Sequence, residues 1–201
     1  MSPHTHSISR RHLAAGAAWT VPAIAVAAMA PNVSASLQPG LQGWVILTKT
    51  CRSGDAGRSM TIDVNGFGSY PSRGLWVYNT TSTTTIAAAK ITFYFPSALQ
   101  LSFSTATNHS PSWSSLAADS SAPAIQGMTA YSASYTGSFA FVPAGNGQPA
   151  YSYAVGQPHY QATASVPSSS NYCESDKLPV TARRTVTVDG QVITFSRSVN
   201  L

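Results

Sequence analysis

Hydrophobic and polar residues alternate along most of the chain after residue 36. Three stretches carry apolar side chains at every second position: Met60, Ile62, Val64; Ile91, Phe93, Phe95; and Leu99, Leu101, Phe103. Because successive side chains of a strand point to opposite faces, each stretch predicts a β-strand with one face on a core and one in water. Two continuous apolar runs, 43–48 and 75–78, predict a fully buried first strand and a short strand after a turn.

The strongest turn signal lies near the C-terminal end of the sequence. Asp189-Gly190 separates two alternating segments. This dipeptide is favoured in two-residue hairpin turns, because both turn positions need a positive φ. Such a turn also sets the register of the hairpin, so we expect Val186 to lie opposite Ile193.

The same register brings two charged residues onto the face of the hairpin that is predicted to pack on the core. It places Arg184 opposite Phe195, and it puts Arg184 and Arg197 on the apolar face of the hairpin. Charged side chains are rarely buried in a core. We therefore expect a β-bulge near Arg183 and Arg184 that turns them outward, with an overhanging hairpin end as the alternative.

Aromatic residues of one parity continue the alternation in the middle of the chain, at Tyr131, Tyr135, Phe139 and Phe141, followed by Tyr151, Tyr153 and Val155 after a turn. Segments 105–123 and 167–179 are rich in Ser, Pro and Ala and predict loops. About eight or nine short strands with turns between them favour an all-β fold. We expect an immunoglobulin-like antiparallel β-sandwich with long Ser/Pro-rich loops, with a barrel as the alternative.

Composition supports this fold class and excludes one class of partner. Hydrophobic residues make up 43% of the chain but charged residues only 8%, against about 25% in a typical soluble domain. The polar surface must therefore be built from residues such as Thr and Tyr, which suit strands. The basic residues are scattered rather than clustered on one face, so we expect no nucleic-acid binding.

The first thirty-five residues have the layout of a removable secretory signal: a positive start, an alanine-rich apolar segment and a small-residue cleavage site. The positions that carry this layout are Ser9, Arg10, Arg11 and Leu13, then Val33, Ala35 and Ser36. We expect cleavage after Ala35, which leaves residues 36–201 as a single β-sandwich domain. Loss of Arg10 and Arg11 reduces the eleven Lys and Arg residues to nine, against six Asp and Glu.

Residues 1–35 resemble twin-arginine export signals, and segment 16–25 is similar to the signals of actinobacterial surface proteins. The resemblance implies that the chain engages an export translocase and crosses the membrane already folded. A general-secretion signal is the alternative. A stable membrane anchor is not expected, because a spanning helix needs about 20 strongly apolar residues and this segment is mostly alanine. The protein is thus expected to be secreted or associated with the cell surface.

Cys51 and Cys173 are the only two cysteines of the chain. An even number of cysteines in an exported protein predicts a disulfide. Chain-entropy arithmetic for so long a loop gives a stabilisation on the order of 5 kcal/mol. The bond would also bring Asp55, Glu174 and Asp176 close together, which raises calcium binding as an alternative to an ordinary surface cluster.

Candidate catalytic groups are sparse after residue 36. His109 and His159 lie in loop-like sequence without a catalytic motif, and we interpret both as exposed surface histidines. No pair of carboxylates is marked out for glycoside hydrolysis, which needs two. A small secreted hydrolase is therefore the least favoured function, and we expect neither a cofactor nor a catalytic metal.

Aromatic residues offer the most specific hypothesis for binding. Trp113, Tyr151, Tyr153 and Tyr160 are candidate ligand contacts, because exposed Trp and Tyr rings stack sugars in carbohydrate-binding modules. The favoured alternative is that the tyrosines, Tyr151 and Tyr153 among them, line the edge of the core with their hydroxyl groups in water. The favoured function is a non-catalytic structural or interaction (adhesin-like) role toward a cell-wall or host glycan or protein. A carbohydrate-binding module for wall or environmental glycans is the alternative.

Overall fold

The computed structural model describes residues 38–43, 45–54, 57–68 and 73–201. Pro39–Leu201 forms one compact unit. The export signal and cleavage site that the sequence predicts lie outside the described residues. Within those ranges the chain contains thirteen strands and no helix. The strands are β1 Gly40–Gln42, β2 Ile46–Gly54, β3 Gly57–Asn65, β4 Trp76–Tyr78, β5 Ile86–Pro96, β6 Phe103–Thr105, β7 Ala117–Ala118, β8 Met128–Ser134, β9 Phe139–Val142, β10 Tyr151–Ala154, β11 His159–Val166, β12 Pro179–Val188 and β13 Gln191–Asn200.

These strands form three antiparallel sheets. Sheet A has the order β1-β4-β10-β9, sheet B the order β2-β3-β11-β6, and sheet C the order β13-β12-β5-β8-β7. The all-β antiparallel fold class predicted from the sequence is confirmed, and the arrangement is consistent with a β-sandwich.

The hydrophobic core lies where sheets B and C face each other. Met60, Ile62 and Val64 of β3 are fully buried, and the ring of Phe103 in sheet B packs at 5.4 Å between centroids against Tyr131 in sheet C. The alternation therefore predicts the buried face of β3 correctly, and Thr61, Asp63 and Asn65 lie on the opposite side of the strand.

Strand β5 departs from that simple pattern, because both faces of its second half, from Ile91 to Pro96, are buried. Thr92 and Tyr94, which the alternation placed in water, are as inaccessible as Phe93 and Phe95. The segment 118–125 lies beside Tyr94 on this outer face, and the Thr92 hydroxyl is hydrogen-bonded at 2.8 Å to that of Ser132. The face that the pattern predicted as solvated is therefore buried at both Thr92 and Tyr94.

Two other predicted strands have different limits in the structure. Only Phe103 of the 99–103 alternation belongs to a strand; Leu99 and Leu101 are buried from a turn, where the Leu99 N–H bonds the Pro96 carbonyl. Within the 43–48 run, Leu47 is half-buried rather than fully buried. The reason is that β2 is an edge strand of sheet B and is covered on one side only.

The β12–β13 hairpin has the predicted register, with Val186 opposite Ile193 and Arg184 opposite Phe195. Its turn residues, Asp189 and Gly190, have φ values of 48° and 80°, as the predicted two-residue turn requires.

The predicted bulge near Arg183 and Arg184 is wrong for this hairpin. The β12–β13 ladder is regular from Pro179 to Val188, and Arg184 stays on the inner face with only 2% exposure. An irregularity occurs instead on the other side of β12, where β5 contains an extra residue near Ala88, which has a φ of 49°. That bulge lengthens β5 and leaves the parity of β12 unchanged.

The segment 167–178, which contains no strand, is attached to sheet B at three places. Cys51 and Cys173 form a disulfide with a Cα–Cα distance of 5.7 Å, which confirms the predicted bond. Lys49 Nζ donates to the carbonyls of Tyr172, Glu174 and Leu201 at 2.5–2.7 Å. Arg58 Nη2 donates to the carbonyls of residues 168 and 170 at 3.0 and 2.9 Å. Sheet B therefore fixes a segment that lacks a ladder of its own.

Candidate ligand-binding site

Four aromatic side chains share the outer face of sheet A. In the β4–β10 ladder Tyr151 is opposite Tyr78, and Tyr153 is opposite Trp76. Opposed residues of an antiparallel pair point to the same side, so the four rings form one aromatic surface. The residues between them, Val77 and Ser152, face the core and are buried.

The rings contact one another in tilted and edge-to-face geometries. The centroid of Trp76 lies 6.2 Å from that of Tyr78 and 6.3 Å from that of Tyr151, and Tyr151 lies 6.2 Å from Tyr153. Trp76 is only 5% exposed, whereas Tyr153 is 37% exposed. Trp76 thus forms the floor of the surface, and Tyr153 presents its ring to solvent.

A cleft of about 320 Å³ opens beside these rings. Trp76, Tyr151 and Tyr153 line its aromatic side, and Arg73 and Gln157 line its polar side. Its volume is at the lower end of the roughly 300–1,000 Å³ typical of small-molecule sites. We call this feature the aromatic cleft.

Backbone contacts hold the polar groups of the aromatic cleft in place. Arg73 Nη1 donates to the Phe67 carbonyl at 3.1 Å. Gln157 packs against Gly74, where an added Cβ would approach its Nε2 to 2.8 Å and where φ is +93°. Position 74 therefore favours glycine for both its conformation and its close approach to Gln157.

Gln157 also presents an unused hydrogen-bond acceptor. Its Oε1 is buried and has no hydrogen-bond partner in the described part of the chain. A buried carbonyl oxygen left without a donor costs about 1–3 kcal/mol. A ligand hydroxyl or amide N–H at this end of the aromatic cleft would remove that cost.

A close approach of β1 to Tyr78 completes the surface. A Cβ placed on Gly40 would lie 1.8 Å from Cζ of the Tyr78 ring. The absence of a side chain at this position lets the ring lie directly over the β1 backbone, which fixes one edge of the aromatic surface.

The structure divides the four predicted ligand contacts into two pairs. Tyr151 and Tyr153 belong to the aromatic cleft. Trp113 and Tyr160 are core residues with 3% and 0% exposure, so a stacking role for them is excluded.

Both buried aromatics use their polar atoms internally. Trp113 Nε1 donates to the Gly156 carbonyl at 3.2 Å, and the Tyr160 hydroxyl donates to the Ser114 carbonyl at 2.6 Å. Burial of Tyr160 raises the pKa of its hydroxyl. The loop composition around Trp113 suggested exposure, but the indole is packed against Tyr135, with 5.0 Å between ring centroids.

Sequence reasoning missed Trp76, Arg73 and Gln157 as site residues. The sequence pattern predicts only a short strand around Trp76. The available signal was parity, because Trp76-Val77-Tyr78 repeats the aromatic–small–aromatic spacing of residues 151–153. Arg73 and Gln157 come from turns, and no sequence pattern links them to the rings.

His109 and His159 are half-buried rather than exposed, which corrects the surface interpretation. His159 bonds the Asp63 carboxylate through Nε2 at 2.9 Å and the Thr107 carbonyl through Nδ1 at 2.7 Å. His109 accepts the His159 backbone N–H at Nδ1, and its Nε2 bonds the Trp113 carbonyl. Every ring nitrogen of the two histidines therefore has a structural partner.

The hydrogen bonds of His159 outweigh the effect of burial on its charge. Burial lowers the pKa of His159, but the bonds to Thr107 and Asp63 raise it, and the net shift is upward. A histidine with acceptors at both nitrogens is stabilised in its protonated form. This side chain links β11, β3 and the loop before residue 109 on the outer face of sheet B.

Of the three acidic residues proposed for calcium, the structure describes two, Glu174 and Asp176. Glu174 and Asp176 lie close enough to Lys49 to raise its pKa, although burial has the larger effect and lowers it overall. Asp55 lies outside the described residues. Among the residues that are described, no group of three or more His, Cys, Asp or Glu side chains is placed to hold a metal ion.

Comparison of the chain with models of known protein families, with curated proteins and with solved structures finds no match. Within the described ranges, no helix has the length and apolarity needed to cross a membrane. The geometry of the site itself is therefore the basis for a functional proposal.

Proposed function

We propose that this protein is an exported, non-catalytic binding protein of immunoglobulin-like architecture, and that the aromatic cleft of sheet A is its site for a glycan. The single observation that carries the proposal is the juxtaposition of Trp76 and Tyr153 with Arg73 and Gln157 around one cleft. Such a site combines an apolar wall with a few fixed polar groups, which is the usual make-up of a small-ligand site.

A sugar ring matches both sides of this cleft. Its C–H faces are apolar and pack on aromatic rings, and its hydroxyl groups both donate and accept hydrogen bonds. A hydroxyl can donate to Gln157 Oε1, which accepts no hydrogen bond from the described residues. Another can accept from the guanidinium of Arg73, which is already oriented by the Phe67 carbonyl.

The surroundings of the cleft favour binding over bond cleavage. The described residues that line it include no carboxylate, whereas glycoside hydrolysis requires two. The two histidines of the described chain are held by the bonds between His159, Asp63 and their neighbours. An interaction role is therefore better supported than a hydrolytic one.

Export is supported by the N-terminal sequence and by the disulfide. The paired arginines at 10 and 11 and the small residues before Ser36 have the order of an export signal. The Cys51–Cys173 bond is compatible with an oxidising compartment. The intact mass of the protein from the culture medium tests this part, because cleavage after Ala35 and two alkylation-resistant cysteines are expected; an uncleaved chain with reactive thiols would contradict export.

The glycan proposal is tested by titrating the purified protein with cello-, chito- and xylo-oligosaccharides in a calorimeter. We expect Tyr153→Ala to weaken binding of the preferred oligosaccharide at least tenfold. Phe141→Ala is the matched control, because Phe141 has nearly the same exposure, 38% against 37%, but lies on the opposite face of sheet A. Equal loss in both variants, or binding by neither the wild type nor any variant, would overturn the proposal.

A further inference from the structure

The aromatic cleft carries a positive charge beside its rings. Arg73 is half-buried and lines the cleft together with Trp76, Tyr151 and Tyr153. The described residues that line the cleft include no Asp or Glu, and the segment 69–72, which precedes Arg73 in the sequence, contains none either. The cleft therefore combines an apolar aromatic wall with a cation that has no carboxylate beside it among those residues.

The carboxylates that the structure describes lie at other places in the fold. They are Asp63, which bonds His159 on sheet B, Asp119, which pairs with Lys90, Asp189 in the hairpin turn, and Glu174 and Asp176, which lie near Lys49. Among the described residues, Arg73 forms no ion pair with any of them. Its charge is thus available to an anion that enters the cleft.

The side chain of Arg73 is held at both its stem and its head. A Cβ added to Gly68 would lie 2.5 Å from Cδ of Arg73 and 2.6 Å from Cγ, so the stem lies directly on the backbone at this position. Nη1 donates to the Phe67 carbonyl at 3.1 Å. A guanidinium carries five N–H donors in a rigid planar fork, so this bond orients the group and leaves other donors for a ligand. Such pre-ordering lowers the entropy that binding costs.

Gln157 supplies the opposite kind of group to the same cleft. Its Nε2 donates to the Ala154 carbonyl at 3.5 Å, whereas its buried Oε1 has no partner among the described residues. The Arg73 head therefore favours an anionic oxygen, and Gln157 Oε1 favours a hydroxyl or an amide N–H. A ligand that satisfies both needs a negative group and a donor on one small framework.

We infer that the glycan bound in the aromatic cleft contains an acidic sugar, with its anionic group on Arg73 and a hydroxyl or acetamido N–H on Gln157 Oε1. This inference rests on the proposed function of the cleft and names its substrate class. Hydrogen bonds between ionised groups are roughly twice as strong as those between neutral groups, so Arg73 distinguishes an acidic sugar from a neutral one. The anionic group is a carboxylate or a sulfate ester, since both present paired oxygen atoms to the guanidinium fork.

The test compares acidic oligosaccharides with neutral forms of the same sugars. Trimers of galacturonate and of glucuronate, and the methyl esters of their carboxyl groups, are titrated into the purified protein in a calorimeter. A carrageenan oligosaccharide and its desulfated form distinguish a sulfate ester from a carboxylate as the anion. We expect one of the anionic probes to bind at least tenfold more tightly than its neutral form, which keeps the weaker contact with the rings. Added salt should reduce this preference, because it screens the charge of Arg73.

Variants assign the preference to the cleft. Arg73→Gln should abolish the tenfold preference and leave the affinity for the neutral form nearly unchanged. Gln157→Glu places a carboxylate in the cleft and should weaken binding of the acidic form far more than that of the neutral form. Arg52→Gln is the matched control, because it removes the same charge from an exposed position of β2 that does not line the cleft.

The outcomes separate this inference from the proposed function. Equal affinity of the wild-type protein for acidic and neutral forms, with binding still lost in Tyr153→Ala, would overturn the acidic-sugar inference and support a glycan site of another specificity. The same loss of preference in Arg52→Gln as in Arg73→Gln would also overturn it, because the preference would then come from the net charge of the protein. Binding of none of these probes would overturn both proposals.

Discussion

Removal of the disulfide is expected to cost a large part of the stability of the fold. The bond joins Cys51 in β2 to Cys173 in the segment before β12, across 122 positions of the sequence. In the chain-entropy treatment, a cross-link over a loop of that length stabilises the native state by about 5 kcal/mol, by restricting the unfolded chain. Whole domains are stable by only about 5–15 kcal/mol.

The native structure explains why most of this loss should arise in the unfolded state. Lys49 and Arg58 hold the same segment through four carbonyl oxygens, independently of the sulfur atoms. We therefore expect the Cys51→Ser/Cys173→Ser variant to keep its native fold while its free energy of unfolding falls by about 3–5 kcal/mol. The denaturant m-value should rise, because the unfolded chain without the cross-link exposes more surface.

Equilibrium unfolding in guanidinium chloride, followed by tryptophan fluorescence, measures both quantities. The wild-type protein with its disulfide reduced is the control, since it has the native side chains and lacks only the bond. A loss below about 1 kcal/mol with an unchanged m-value would show that the unfolded chain is already compact between the two cysteines, and would refute the entropic reasoning.

Three other perturbations test the core and the buried hydrogen bonds. Burial lowers the pKa of His159, but its hydrogen bonds to Thr107 and Asp63 raise it, and the net shift is upward. Protonated His159 therefore stabilises the folded protein fully below the unfolded pKa of about 6.5, and this stabilisation is lost as the pH rises through the folded pKa. Asp63→Asn should accordingly flatten the fall in melting temperature above about pH 6.5. Tyr160→Phe removes a buried 2.6 Å hydrogen bond and should cost about 1–2 kcal/mol in chemical denaturation; an unchanged midpoint would contradict the role given to the hydroxyl. Phe93→Ala, at a fully buried position, should cost about 3–5 kcal/mol in the same assay, and a loss under 1 kcal/mol would mean that the core between sheets B and C is not well packed there.

The sequence by itself determined the features that depend on nearest neighbours along the chain. The Asp189-Gly190 turn specified the hairpin register, because turn geometry and a two-residue period leave one pairing for Val186 and Ile193. The all-β class followed from the same period. The disulfide followed from the presence of only two cysteines, Cys51 and Cys173.

Tertiary structure alone decided what covers each face of those strands. Alternation shows that Thr92 and Tyr94 share a face, but both are buried there, Tyr94 beside the distant segment 118–125 and Thr92 hydrogen-bonded to Ser132. Tyr153 and Trp113 are both candidate ligand contacts from the sequence, yet Tyr153 is exposed on sheet A and Trp113 is packed in the core. The physical reason is that period reports only which side chains point the same way, whereas burial depends on residues far away in sequence. For the same reason Arg184, which was predicted to point outward, is buried in the wall of a cavity.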